Sequence, residues 1–172
     1  MNFNEYRKLS ERTINQALTN DQKLTHGICG LMSEVNEIAD VYKEVAGAKT
    51  LNDRFDAEKH CLSEIGDALW FVAEIATAEN IRVPEDCIAV GSVTENITEY
   101  CTIVQKRMQG KAYSEYDVVH AVGCILACFR NEAEFFGYKL SDLYEQNLEK
   151  LRKRYPEGFS EERSEHRAEG DI

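Results

Sequence analysis

The stretch "SEIGDALWFVAEIA", Ser63–Ala76, decides how the chain folds. From Ile65 onward it is apolar nearly all round a helix, the pattern of a helix buried at the centre of a bundle. Two carboxylates, Glu64 and Asp67, nevertheless stand at its start. An earlier stretch, "GLMSEVNEIADVYK" (30–43), repeats the spacing with Glu34 and Glu37. There Ile28, Leu31, Met32, Val35, Ile38, Ala39, Tyr42 and Val45 fall on one side of a helix. A short link between the two helices implies antiparallel packing, which lets all four carboxylates converge on one volume.

The same periodicity extends outward to an all-α bundle of about six helices. It predicts helices near 3–18, 22–46, 57–80, 84–109 and 114–136, and a last one in "KLSDLYEQNLEKLRKRY" with Ser141 as N-cap. Pro84 suits the first turn of the fourth. The chain of 172 residues is read as a single domain with three parts: an acidic hairpin over 30–86, a second hairpin over 89–143, and a polar tail over 157–172. The two hairpins share a design. Matching Ser33 to Ser92 and Gly66 to Gly123 puts Val93, Asn96, Ala121 and Cys124 where the first has Glu34, Glu37, Glu64 and Asp67. A degenerate repeat and a chance likeness of two helical hairpins both fit.

Twenty Lys and Arg against thirty-one Asp and Glu give a net charge of −11, which repels a nucleic acid polymer or an anionic membrane. The N-terminal "MNFNEYRKLSERT" is polar and no segment approaches the roughly 20 apolar residues of a spanning helix, so a cytoplasmic protein with no membrane partner is expected. Cys29, Cys61, Cys87, Cys101, Cys124 and Cys128 lack CxxC spacing and read as reduced, buried thiols. His120, Cys124 and Cys128 share a helix face, which a core stripe explains as well as a soft-metal site does.

Four converging carboxylates need a cation. Two like charges 4 Å apart repel by about 4 kcal/mol at an effective dielectric near 20. Oxygen donors without His or Cys point to Mg²⁺, with Mn²⁺ as the substitute. The plainer reading is that ExxE and ExxD are solvated helix faces. A di-iron bundle is disfavoured, since no histidine stands three residues after a glutamate in the required pairs.

These residues resemble the MazG-like all-α nucleoside triphosphate pyrophosphohydrolases, relatives of the dimeric dUTPases. The likeness rests on "SEVNEIAD", "SEIGDALWFVAEIA" and "NLEKLRKRYPEGFS", in that order, and covers about 1–83 and 139–172. It implies a four-helix core with an extra, degenerate hairpin, and Mg²⁺-dependent cleavage of an NTP or dNTP to the monophosphate and pyrophosphate. By that resemblance Glu34, Glu37, Glu64 and Asp67 hold the metal, and Glu34 orients or deprotonates the attacking water. Asn147, Lys150 and Arg154 then serve the phosphates, with Tyr155 packing on sugar or base. Trp70 and Phe71, one turn past Asp67, are base-pocket candidates, although an aromatic pair in so apolar a helix is more often core. His26 reads as a solvated or capping histidine, and Arg163 and Arg167 as residues able to close over the phosphates. The family's usual homodimer stays open, because the extra hairpin supplies within one chain part of what a partner would give. The alternative from another class is a non-enzymatic helical module that binds nucleotides or a partner helix.

Overall fold

The structure, a computed structural model, describes residues 1–166. Arg167 and the end of the polar tail lie outside the described residues. Seven helices follow one another: α1 (Phe3–Ser10), α2 (Asn20–Gly47), α3 (Leu51–Ala78), α4 (Val93–Met108), α5 (Glu115–Phe135), α6 (Leu140–Arg154) and α7 (Glu161–Glu165), with no strand among the described residues. The expected all-α bundle is therefore present.

Reciprocal caps fix where four of the helices begin. Asn2, Thr19, Thr50 and Ser92 accept a backbone N–H from Glu5, Gln22, Asp53 and Glu95 respectively, whose side chains accept in return from the capping residue's own N–H. These caps override the apolar periodicity at two places. Thr50 starts α3 at Leu51 rather than near 57. Ser92 starts α4 at Val93, so Pro84 does not open a helix. It lies instead in an extended strap that begins where Asn80, at φ 54°, ends α3 in the left-handed region. Asn4 pairs with both polar groups of Val83, and Arg130 donates to the carbonyls of Glu85 and Cys87, which holds the strap down.

Two further expectations are corrected. The first helix stops at Ser10 because a 3₁₀ turn, Glu11–Thr13, leads into extended backbone at Ile14. Ser141 sits inside the first turn of α6, where Asp142 accepts the N–H of Lys139 at 3.1 Å. The cysteines also divide: Cys61, Cys124 and Cys128 are buried, Cys87 and Cys101 half-buried, and Cys29 exposed. His120 lies 3.8 Å from the Cys124 sulfur, but among the described residues no group of His and Cys closes to metal-ligand spacing.

Helix α3 is the axis of the bundle. It packs against α1, α2, α5 and α6, and Ile65, Ala68, Leu69, Ala73 and Ala76 along it are wholly buried. Antiparallel packing of α2 on α3 is marked at both ends: His26 near the start of α2 meets Glu74 late in α3, and Glu44 late in α2 meets His60 early in α3. The second hairpin, α4 with α5, is tied to the end of α3 through Glu79, which accepts from Tyr100 at 2.6 Å and pairs with Arg107 at 2.7 Å. No helix among the described residues is long and apolar enough to cross a membrane.

Close approach of α2 to α3 depends on Gly30, where an added Cβ would lie 2.1 Å from Cε1 of the Phe71 ring. At Gly66 the same atom would meet Asn147 at 3.5 Å, an ordinary contact. Gly30→Ala should therefore lose about 1–3 kcal/mol through overpacking. Gly66→Ala should hold or gain up to about 1 kcal/mol of helix propensity. Thermal denaturation of the two variants checks both, and equal melting temperatures would mean that Phe71 swings aside without cost.

Candidate active site

A cavity of about 300 Å³ opens between α2, α3 and the end of α6. One end is acidic, formed by Glu34 and Glu37 from α2 and Glu64 and Asp67 from α3; the other is aromatic, with His26, Trp70 and Phe71 facing Tyr155 and Phe159. The 3.6-residue repeat causes this division. Glu64, Asp67 and Phe71 lie on one stripe of α3, so a single helix face runs from charge to ring.

The four expected carboxylates do not act as a uniform set. Oxygens of Glu34, Glu37 and Glu64 lie within 4.8 Å of one another. Glu64 is buried, Glu34 half-buried and Glu37 exposed. Asp67 lines the same cavity, but α6 engages its carboxylate: Asn147 Nδ2 donates at 2.9 Å and Lys150 Nζ at 2.6 Å. Asn147 is in turn fixed by the Tyr6 hydroxyl, which donates to its Oδ1 at 2.7 Å. Of the basic-ending residues, Arg154 and Tyr155 line the cavity directly, while Asn147 and Lys150 reach it through Asp67.

Crowding of acids has an electrostatic consequence. Loss of hydration pushes the Glu34 carboxyl up to about 8, reinforced by the charge of Asp67, a hydrogen bond with Glu64 and the charge of Glu37. Glu64 is also met from outside the cluster by His60, whose Nε2 lies 3.0 Å from its Oε1.

The aromatic end contains a second acid that sequence reading passed over. Glu74 is wholly buried, its Oε2 lies 2.6 Å from His26 Nδ1, and its Oε1 has no hydrogen-bond partner. That hydrogen bond raises the His26 pKa above its ordinary value. His26 is thus neither a cap nor simply solvated: its ring packs against Trp70 and Phe71 and lines the cavity. The indole N–H of Trp70 donates to Thr13 at 2.8 Å, so this ring is anchored rather than loose.

The segment after α6 closes the aromatic end. Arg12 donates to the carbonyls of Tyr155 and Pro156, and Phe159 N–H donates to the Arg12 carbonyl at 3.0 Å. This places the Phe159 ring 5.9 Å from that of Tyr155. Among the described residues the tail forms α7, whose Ser164 reaches the cavity wall. Arg163 uses its guanidinium on the Arg154 carbonyl at 3.4 Å.

Thr13, His60, Glu74, Phe159 and Ser164 were not legible as site residues from motif spacing. Two of them left a signal: His60 stands one helical turn before Glu64, and Glu74 is the one charge inside "LWFVAEIA". No family model, curated protein or solved structure matches this chain in the three comparisons made.

Because the Glu34 pKa is higher in the folded chain than in the unfolded one, the folded state binds more protons between the two values, and stability falls as pH rises through that window. Metal-free protein should therefore lose stability from about pH 5 to pH 8. Glu34→Gln should flatten this slope in urea or thermal unfolding, and an undiminished slope in the variant would assign it elsewhere. His26 should titrate by NMR above the ordinary value near 6.5, and Glu74→Gln should bring it down; a midpoint unmoved by that change would show the contact to be absent in solution.

Proposed function

We propose that the chain is a Mg²⁺-dependent nucleoside triphosphate pyrophosphohydrolase, cleaving the α–β bond of an NTP or dNTP to give the monophosphate and pyrophosphate. The observation that carries this reading is the convergence of Glu34, Glu37 and Glu64 within 4.8 Å at one end of a cavity whose other end is aromatic. Solvated helix faces would leave the acids apart and hydrated, whereas Glu64 is only 5% exposed.

The donor set fits the metal. All three groups offer hard carboxylate oxygens, which suit Mg²⁺ and equally Mn²⁺, and Lys150 is turned to Asp67 rather than to this trio. Bound there, Mg²⁺ neutralises phosphate charge and makes water a better nucleophile. The remaining work falls to the chain. Glu34, on the cavity wall beside Glu64, would be ionised once a cation lies beside it, and would then take the proton as water oxygen attacks the α-phosphorus and the bridging oxygen leaves with pyrophosphate. Trp70, Phe71, Tyr155 and Phe159 offer flat faces for the base. Arg154, on the same wall, lies within reach of the phosphates.

A non-enzymatic module that binds nucleotides remains the second reading, favoured by the aromatic wall alone. Incubation with a panel of NTPs and dNTPs plus Mg²⁺ separates the two: pyrophosphate release supports the enzyme, and binding without release from any of them overturns it. Glu37→Ala should cut turnover on the order of 100-fold or more. Because Glu37 is exposed and among like charges, the metal-free melting temperature of this variant should hold or rise. A marked fall would make Glu37 structural.

A further inference from the structure

A second cavity, of about 290 Å³, opens on α3 and α6 beside the first. Its polar wall comes from Lys59 and Ser63 of α3, Tyr138 before α6, and Gln146, Asn147 and Lys150 of α6. No carboxylate lines it, although the chain carries a net charge of −11. Lys59 makes no ion pair among the described residues; its ammonium lies over the Phe55 ring, 4.7 Å from the centroid. The nearby Glu58 carboxylate is already taken by Arg54 at 2.9 Å. Ser63, Tyr138 and Gln146 likewise form no side-chain hydrogen bond among the described residues. Several donors thus surround one cavity without an acceptor.

Lys150 joins this cavity to the acidic one. Its side chain lines the first, while its Nζ lies 2.6 Å from Asp67, which lines the other. Gly66 forms part of the wall between them, and its missing side chain lets Asn147 of α6 lie close on α3. Read along α3, the order is Lys59 and Ser63, then Glu64 and Asp67, then Trp70 and Phe71. From first to last this spans roughly 18 Å at 1.5 Å per residue. Cation, metal-binding acids and aromatic rings in that order match a nucleoside polyphosphate taken from its last phosphate to its base.

We propose that the Lys59 cavity seats the terminal phosphates of the substrate and so the pyrophosphate that departs. Lys59 supplies the charge, and Ser63, Tyr138 and Gln146 the remaining donors, with Lys150 held by Asp67 at the boundary. The assignment rests on the pyrophosphohydrolase reading for its substrate, but the oxyanion site itself can be measured without turnover. It also gives a reason for an enzyme of this shape to distinguish a triphosphate from a monophosphate, since only the longer chain reaches Lys59.

Calorimetric titration of the full chain with inorganic pyrophosphate, Mg²⁺ present, is the test. Lys59→Gln should weaken binding roughly tenfold, as expected for losing one charge-assisted contact. Lys111→Gln, which removes an equally exposed lysine from the α4–α5 connection, should leave it unchanged. Equal affinity of wild type and Lys59→Gln overturns the inference, and so does equal weakening in both variants, which would mean that only net charge is sensed. The outcomes separate from those of the main reading. Nucleotide hydrolysis with no effect of Lys59→Gln removes this site alone, while pyrophosphate binding that depends on Lys59, without hydrolysis, keeps the site and removes the enzyme.

Discussion

Helix α3 has almost no solvent face beyond Ile65, and the rest of the molecule is arranged around that constraint. An acid on such a helix cannot rely on water, so a neighbouring element has to answer it. Each one is answered. His60 meets Glu64, Asn147 and Lys150 meet Asp67, His26 meets Glu74, and Tyr100 and Arg107 meet Glu79. These contacts come from α2, α3 itself, α4 and α6, so the charges on one buried helix fix the placement of three others. An apolar helix alone would bury as much surface but would set the rotation of its neighbours less strictly.

At the cavity this logic is left incomplete. Asp67 is paired with Lys150, whereas Glu34 and Glu37 bring further negative charge to Glu64, which His60 meets from outside the cluster. The raised Glu34 pKa follows from both causes at once: burial strips its carboxyl of water, and the charges of Asp67, Glu37 and Glu64 oppose a further one. Glu74 differs, since its buried charge is answered by His26, and the strain there is confined to the unpartnered Oε1.

Much of the fold was legible because helices announce themselves by periodicity, and the capping residues were present as plain S/T-x-x-E/Q/D patterns. The misplaced ends have one cause. Apolar spacing near Ala17, Leu18 and Pro84 was read as helix, but those residues pack as loop and strap once the caps at Thr19 and Ser92 claim the following helices. The acidic cluster was legible because each pair, Glu34 with Glu37 and Glu64 with Asp67, is spaced within one turn and a short link joins the two helices. The pairing of His26 with Glu74 was not, for it joins residues 48 positions apart and depends on how α2 slides along α3. Lys59 shows the same limit, since a lone exposed lysine acquires meaning only from α6 lying opposite.

The two hairpins also show how one local device yields two outcomes. Gly66 admits Asn147 of α6 against α3, and with Asn147 come Lys150, Arg154 and Tyr155. Gly123, its counterpart in the sequence alignment of the hairpins, admits Pro84 and Cys87 of the strap instead. The strap carries no cation to that spot, and Arg130 is spent on its carbonyls. The positions aligned with the acids follow suit: Asn96, Ala121 and Cys124 are buried, and the Asn96 amide donates to the carbonyls of Val90 and Ser92 and to the Cys128 sulfur. Acids there would face neither a basic helix nor water. The two hairpins thus differ in the element that packs over each glycine: basic α6 on the first, the uncharged side of the strap on the second.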